Sequence, residues 1–218
     1  NLVIDGQLDE AAWQEAQEHS GFVINGSTEL EPEKTSFKVI NTPEGIVLGI
    51  SMRDGFIKSR PRPHDDQVWA DDCIDIFIAP VEEFSTDQNV REFYHFILNA
   101  DNARYDAHIR GGVADAARNF RWHSATAKTE EGWQAEVMLP FYNFNVAENG
   151  IPQVWRFNLI RENRTENSNT VSAWKPTLRA NDSDNFGKLS GIQADAEFFN
   201  LELGNIKMSR IGEEASLE

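Results

Sequence analysis

Apolar and polar residues alternate in one short segment after another along this chain, and only one stretch carries helical spacing. A period of two sends successive side chains to opposite faces of a strand. It predicts strands over Thr35 to Asn41, Ile46 to Arg53, Cys73 to Ala79, Phe93 to Asn99 and Arg104 to Ile109. It predicts more over Phe120 to Lys128, Trp133 to Leu139, Trp155 to Arg161, Val171 to Trp174 and Phe186 to Ile192. Turn formers separate several of these: Thr42-Pro43-Glu44-Gly45, Ala100-Asp101-Asn102-Ala103 and Glu130-Glu131-Gly132. Asp54 to Val68 and Gly111 to Asn119 read as loops. The helix runs from Asp9, as N-cap, to Ala16, with Ala12, Trp13 and Ala16 as a small apolar face. So little helix leaves no room for βαβ units. The predicted class is all-β: a two-sheet antiparallel sandwich, jelly-roll-like, with one short N-terminal helix.

The 218 residues suit one domain of this class, with the sandwich over 1–192. Residues 193–218 are expected to be a C-terminal strand or linker extension of it, since Phe198 to Met208 alternates again. The net charge of -16, from 36 acidic against 20 basic residues, argues against nucleic acid and anionic membranes as partners. It suits a neutral ligand or divalent cations. Cys73 is the sole cysteine, so no internal disulfide forms. No apolar run reaches the roughly 18 residues of a membrane-spanning helix. The chain opens without a signal peptide on the strand-like Leu2-Val3-Ile4, as an exported protein does once its leader is removed.

In the strand Cys73 to Ala79, Ile74, Ile76 and Ile78 point one way, and Cys73, Asp75, Phe77 and Ala79 the other. A carboxylate in mid-strand needs partners, so Asp75 lines a polar groove or sits on a wet face. Trp69 just before it offers a flat apolar plate beside an acceptor, which is what a sugar needs; the bland reading is a core tryptophan and a solvated aspartate. Trp174, near another strand end, would supply a second plate. Trp13, Trp133 and Trp155 read as core, and Trp122 is open between the two. Asn158 faces away from Phe157 and Leu159, with Arg156 and Ile160, as a groove floor would. Arg161 lies on the Phe157 face at the strand end; it either offers paired donors to a ligand or makes an ion pair with Glu162 or Glu136. Asp54, Asp65, Asp66, Asp71 and Asp72 form a solvated acidic loop or a set of calcium ligands, without EF-hand spacing. No histidine or cysteine spacing suggests zinc, and no Gly-x-Ser-x-Gly elbow suggests a serine hydrolase.

Several landmarks follow in order: Ile4-Asp5-Gly6-Gln7-Leu8-Asp9-Glu10-Ala11-Ala12-Trp13, then Trp69 to Ala79, then Tyr94-His95-Phe96-Ile97-Leu98-Asn99. Gly132 to Pro140, Trp155 to Arg161, Ser172-Ala173-Trp174 and Phe186-Gly187-Lys188-Leu189 complete the series. The series resembles the family 9 carbohydrate-binding modules and their DOMON-like relatives over residues 2 to 192. The resemblance implies a sugar held between Trp69 and Trp174 and a binding carboxylate at Asp75, where relatives carry glutamate. It also implies structural calcium, for which Asp54 and Asp72 are the expected ligands. Sugar binders of the family carry a basic residue where this chain has Ile97, which leaves His95, Arg104 and Arg161 as the nearest basic candidates. The expected function is non-catalytic binding of an oligo- or polysaccharide, extracellular or periplasmic. The alternatives are a haem-binding electron-transfer domain, with ligands among Met52, Met138, Met208 and the histidines, and an accessory domain of a larger glycan-active enzyme.

Overall fold

A computed structural model describes residues 2–144, 151–165, 168–177, 182–194, 208–211 and 214–217, the last two segments by backbone pairing alone. All strand pairs are antiparallel. After helix α1 (Ala11–Glu15) come β1 (His19–Ser20), β2 (Val23–Ile24), β3 (Thr35–Asn41), β4 (Gly45–Arg53), β5 (Cys73–Ala79), β6 (Glu92–Asn99) and β7 (Arg104–Arg110). Then follow β8 (Val113–Asp115), β9 (His123–Thr129), β10 (Gly132–Pro140), β11 (Val154–Arg164), β12 (Asn169–Ala173) and β13 (Gly187–Ser190). One sheet has the order β1-β3-β4-β10-β9. The other runs β2-β12-β11-β5-β6-β7-β8, with β13 also on β11. β14 (Met208–Ile211) and β15 (Glu214–Leu217) pair with each other. The expected alternation over 198–208 lies, but for Met208, outside the described residues.

The two sheets meet through one face of each. Ile46, Leu48, Ile50 and Met52 of β4 and Trp133, Ala135, Val137 and Leu139 of β10 pack against Ile74, Ile76 and Ile78 of β5 and Phe157 and Leu159 of β11. Trp13, Trp133 and Trp155 are fully buried, as read from the sequence, and Trp122 is buried at 3% exposure. Trp122 turns inward because its Nε1 donates to Asp106 Oδ1 at 2.8 Å, and Phe120 N donates to the other oxygen at 2.9 Å. Those two residues therefore leave the predicted strand, which starts at His123. Within the loop predicted over 111–119, Val113–Asp115 adds a three-residue edge strand, too short to show an alternation.

The helix is shorter than predicted. Glu10, not Asp9, holds the N-cap position, in extended conformation and without a side-chain cap. Its Oε1 accepts instead from Val3 N at 2.9 Å. What fixes this end of the chain is Glu136, fully buried on the far side of the five-stranded sheet. Glu136 accepts from Asp5 N at 2.8 Å, Gly6 N at 2.9 Å and Trp13 Nε1 at 2.9 Å. Gly49 opposite it leaves space for the Trp13 ring, which a Cβ there would meet at 2.9 Å. Glu136→Ala strands three donors at once, so it should cost roughly 3 kcal/mol in urea denaturation. A loss under about 1 kcal/mol would show that the N-terminal segment is not held this way.

Candidate functional site

The outer face of the eight-stranded sheet is set by the odd residues of β5. Cys73, Asp75, Phe77 and Ala79 lie there, next to His95 and Ile97 on β6 and Tyr105 and Ala107 on β7. On the other side of β5, Asn158, Ile160 and Glu162 of β11 share the face. This face is not wet at its centre: every residue of β5 is buried. Phe77, Phe93, Phe186 and Phe84 form a second apolar cluster over it. Asp75 keeps its partners all the same. Its Oδ1 lies 2.7 Å from His95 Nε2, and the Cys73 thiol points at its Oδ2 from 3.9 Å.

An aromatic chain leads outward from that pair. His95 stacks on Phe77 at 4.1 Å and meets the Tyr105 edge at 5.8 Å; Tyr105 meets Trp69 edge-on at 5.3 Å. Trp69 is 40% exposed, so the series ends in a plate open to solvent. It sits on a one-turn 3-10 helix, Val68–Ala70, whose ends are tied down. Arg62 grips Asp71 with two bonds, at 2.6 and 2.8 Å, and Asn99 adds a third at 2.8 Å. Burial opposes the Asp71 charge, but these donors outweigh it and hold its carboxyl below the usual range. Arg164 Nη2 donates to Trp69 O at 2.7 Å and to Glu162 Oε2 at 2.5 Å, which brings β11 into the same corner.

Trp69, Asp75 and His95 thus lie along one face, whereas Trp174, Arg161 and Arg104 turn inward and Asn158 is buried in that face. Trp174 has the parity of Ser172, whose strand partner Arg161 faces inward, and its half-buried indole packs against the edge of the inter-sheet core. It touches Phe37 at 5.2 Å and Phe157 at 5.9 Å, and a Cβ on Gly187 would strike it at 2.5 Å. It forms no sandwich with Trp69. Arg161 is 1% exposed and inward, bonded to Glu33 O at 3.0 Å, Thr35 Oγ1 at 3.2 Å, Arg53 O at 2.5 Å and Asp54 Oδ2 at 3.2 Å. Neither Glu162 nor Glu136 is its partner. Arg104 donates to Trp122 O at 2.9 Å and lies over the Trp122 ring at 5.2 Å, on the inner side of β7. Asn158 shares the outer face but is fully buried. Its amide ties down the Lys175 backbone at 2.9 Å through both N–H and C=O, so it anchors the segment after β12.

The carboxylates of Asp54 and Asp72, the expected calcium ligands, are both engaged by donors of the chain. Asp54 accepts from Phe56 N at 2.9 Å and from the Arg161 guanidinium, which already supplies the positive charge. Asp72 accepts from Arg164 N at 2.5 Å and from Lys58 N, pinning the loop over 54–68 to β11. Calcium takes six to eight oxygen ligands. Among the described residues, the His and carboxylate group close enough to hold a metal is His64, Asp65 and Asp106 instead. There His64 bridges the two carboxylates, one through each ring nitrogen, at 2.9 and 3.0 Å. Met52 and Met138 pack into two separate apolar clusters, so they do not form an axial pair for haem.

Sequence reasoning missed Glu162, although it continues the alternation Arg156, Asn158, Ile160 by one step. Burial and then the Asp75 charge push its carboxyl up to about 7, against the pull of Arg164. Burial likewise pushes Asp72 up to about 6, against the N–H groups of Arg164 and Lys58. In the unfolded chain both carboxyls titrate near 4. Folding therefore takes up protons between about pH 4 and 7, and stability falls as pH rises through that window. Thermal melts should show a higher midpoint at pH 5.5 than at pH 8, by several degrees. A midpoint rising toward pH 8 would show that these two groups are not buried as described.

A sequence profile of the family described as carbohydrate family 9 binding domain-like matches residues 4–191. No curated protein matches the chain. Among solved structures, a family 9 carbohydrate-binding module from Caldicellulosiruptor kristjanssonii in complex with cellotriose superposes with a TM-score of 0.63 at 15% identity, covering 89% of this chain and 91% of that one. A family 9 module from the same organism in complex with glucose gives 0.64 at 13%, covering 89% and 93%. A Bacteroides uniformis protein gives 0.64 at 16%, covering 81% and 87%. At these identities the likeness is one of fold.

Proposed function

This chain belongs to the carbohydrate family 9 binding domain-like family, and on that premise we propose that it is a non-catalytic carbohydrate-binding module whose ligand lies against Trp69. The observation that carries the reading is the exposed Trp69 ring at the end of the Phe77–His95–Tyr105 series, beside the Asp75–His95 pair. A pyranose offers apolar C–H groups on its faces and hydroxyls around its rim. An indole plate covers the first, and a few fixed acceptors and donors orient the second. Trp69 is the plate, with Tyr105 as its side wall. His95, partly open beside Tyr105, is the polar group nearest that plate, and the buried Asp75 carboxylate holds its ring from behind. The related modules bound to cellotriose and glucose make β-glucan oligomers the first ligands to try.

No helix among the described residues is long and apolar enough to cross a membrane. The family supports a place outside the cell or in the periplasm, where such polysaccharides are met. Isothermal titration with glucose, cellotriose and xylo- and manno-oligosaccharides tests the binding. Silence with all of them would end the proposal. Release of reducing ends from any of them would replace it with a hydrolase.

A further inference from the structure

We infer that the sugar favoured at this corner is an amino sugar carrying a free ammonium group, a glucosamine-type saccharide rather than a neutral glucan; this rests on the carbohydrate reading above. Two carboxylates share the outer face with the aromatic corner, Asp75 on β5 behind His95 and Glu162 on β11 linked to the Trp69 carbonyl through Arg164, with side chains 6% and 15% exposed. Glu162 pairs with Cys73 across the strands, so the two carboxylates are diagonal neighbours on one face. Such groups, close together and largely dry, are favoured by a positive charge brought between them. Among the described residues no lysine or arginine is paired with Asp75, whose side-chain partners are the His95 imidazole and the Cys73 thiol. Arg164 is occupied by Glu162 and the Trp69 carbonyl.

Negative charge also surrounds the aromatic wall. Burial raises the Tyr105 phenol, and the charges of Asp65, Asp106 and Asp75 raise it further. A cation beside the Trp69 and Tyr105 rings, which meet at 87°, gains the ring quadrupoles as well as the carboxylates. A neutral hydroxyl gains only a hydrogen bond. Discrimination of this kind grows as the site dries around the ligand.

Titration with the glucosamine trimer, its N-acetylated form and cellotriose, in 150 mM salt, decides the matter. The free-amine trimer should bind at least tenfold tighter than the other two at pH 7. The groups facing Glu162 set the pH profile: Arg164 on its own strand, Cys73 and Asp75 on β5, and the uncharged Val171 on β12. With the Glu162 carboxyl pushed up to about 7, the preference should grow from pH 5.5 to 7. It should fade above about pH 8, where an amine loses its proton. Glu162→Gln should compress the tenfold ratio to threefold or less. Equal affinities for the three trimers would overturn this inference and leave the carbohydrate reading standing; no binding by any would end both. Amine binding that survives Trp69→Ala would also overturn it, because attraction to a chain of net charge -16 would then explain the result.

Discussion

Arg161→Ala should be among the most damaging single substitutions in this domain, lowering its stability by about 3–5 kcal/mol. The guanidinium links both sheets: it grows from β11 and bonds to Thr35 on β3, to the Arg53 carbonyl at the end of β4 and to Asp54 just beyond. The Asp54 side chain is fully buried at its end of the pair. Removing the cation leaves that carboxyl in a dry site and two carbonyls without a donor. Burial already raises Asp54 above the ordinary aspartate range with the arginine present, which shows how unwelcome a lone charge is there. For a domain of this size the loss corresponds to about 10 °C in melting temperature. Arg161→Met with Asp54→Leu should recover much of it, because replacing both partners by apolar groups removes the stranded charge. A single alanine variant that melts within about 2 °C of the parent would show that the pair is not a strut.

Trp69→Ala should do the opposite: little to stability and much to binding. With 40% of its surface open and one ring contact, the indole contributes little packing. As the plate for a sugar face it should be worth tenfold or more in affinity, about 1.4 kcal/mol per tenfold. Trp174→Ala makes the control. That half-buried ring packs on Phe37 and Phe157 and close over Gly187, so its loss should cost roughly 2 kcal/mol of stability while the outer face keeps its geometry. Calorimetric titration and thermal melts on the two variants separate the roles. If Trp174→Ala loses binding while its melt is unchanged, and Trp69→Ala binds normally, the site has been put on the wrong face.

These contrasts show where the sequence was legible. Thr35–Asn41 and Cys73–Ala79 matched their predicted bounds, because alternation over seven residues between turn formers admits few other readings. The inward set Ile74, Ile76 and Ile78 came from the same parity. Parity also put Arg161 on the Phe157 face, while Trp174 was read as an outward plate; each stands at a strand end, where a turn is free to swing a side chain either way. No local pattern says that Asp54 waits across the sandwich, 107 residues away in the chain, to hold the guanidinium inward. Nor does alternation reveal that a second cluster of phenylalanines roofs the outer face. Phe84 lies outside every predicted strand and Phe186 at the start of a distant one, and they make a strand with a polar-looking side dry on both. Glu162 was missed because Val154–Arg164 extends three residues beyond its predicted end at Arg161, and the continuation carries charge rather than an apolar marker.

Because β5 has no solvent-facing side, it is enclosed by apolar neighbours above and below. Retuning ligand choice through this strand would disturb the packing that keeps the domain folded. Selectivity in such a design is free to drift at the rim, in the short turn bearing Trp69 and the exposed ends of neighbouring strands, while the floor stays constant. Divergence among relatives that keep this arrangement should therefore concentrate around the border of the binding surface and spare its middle.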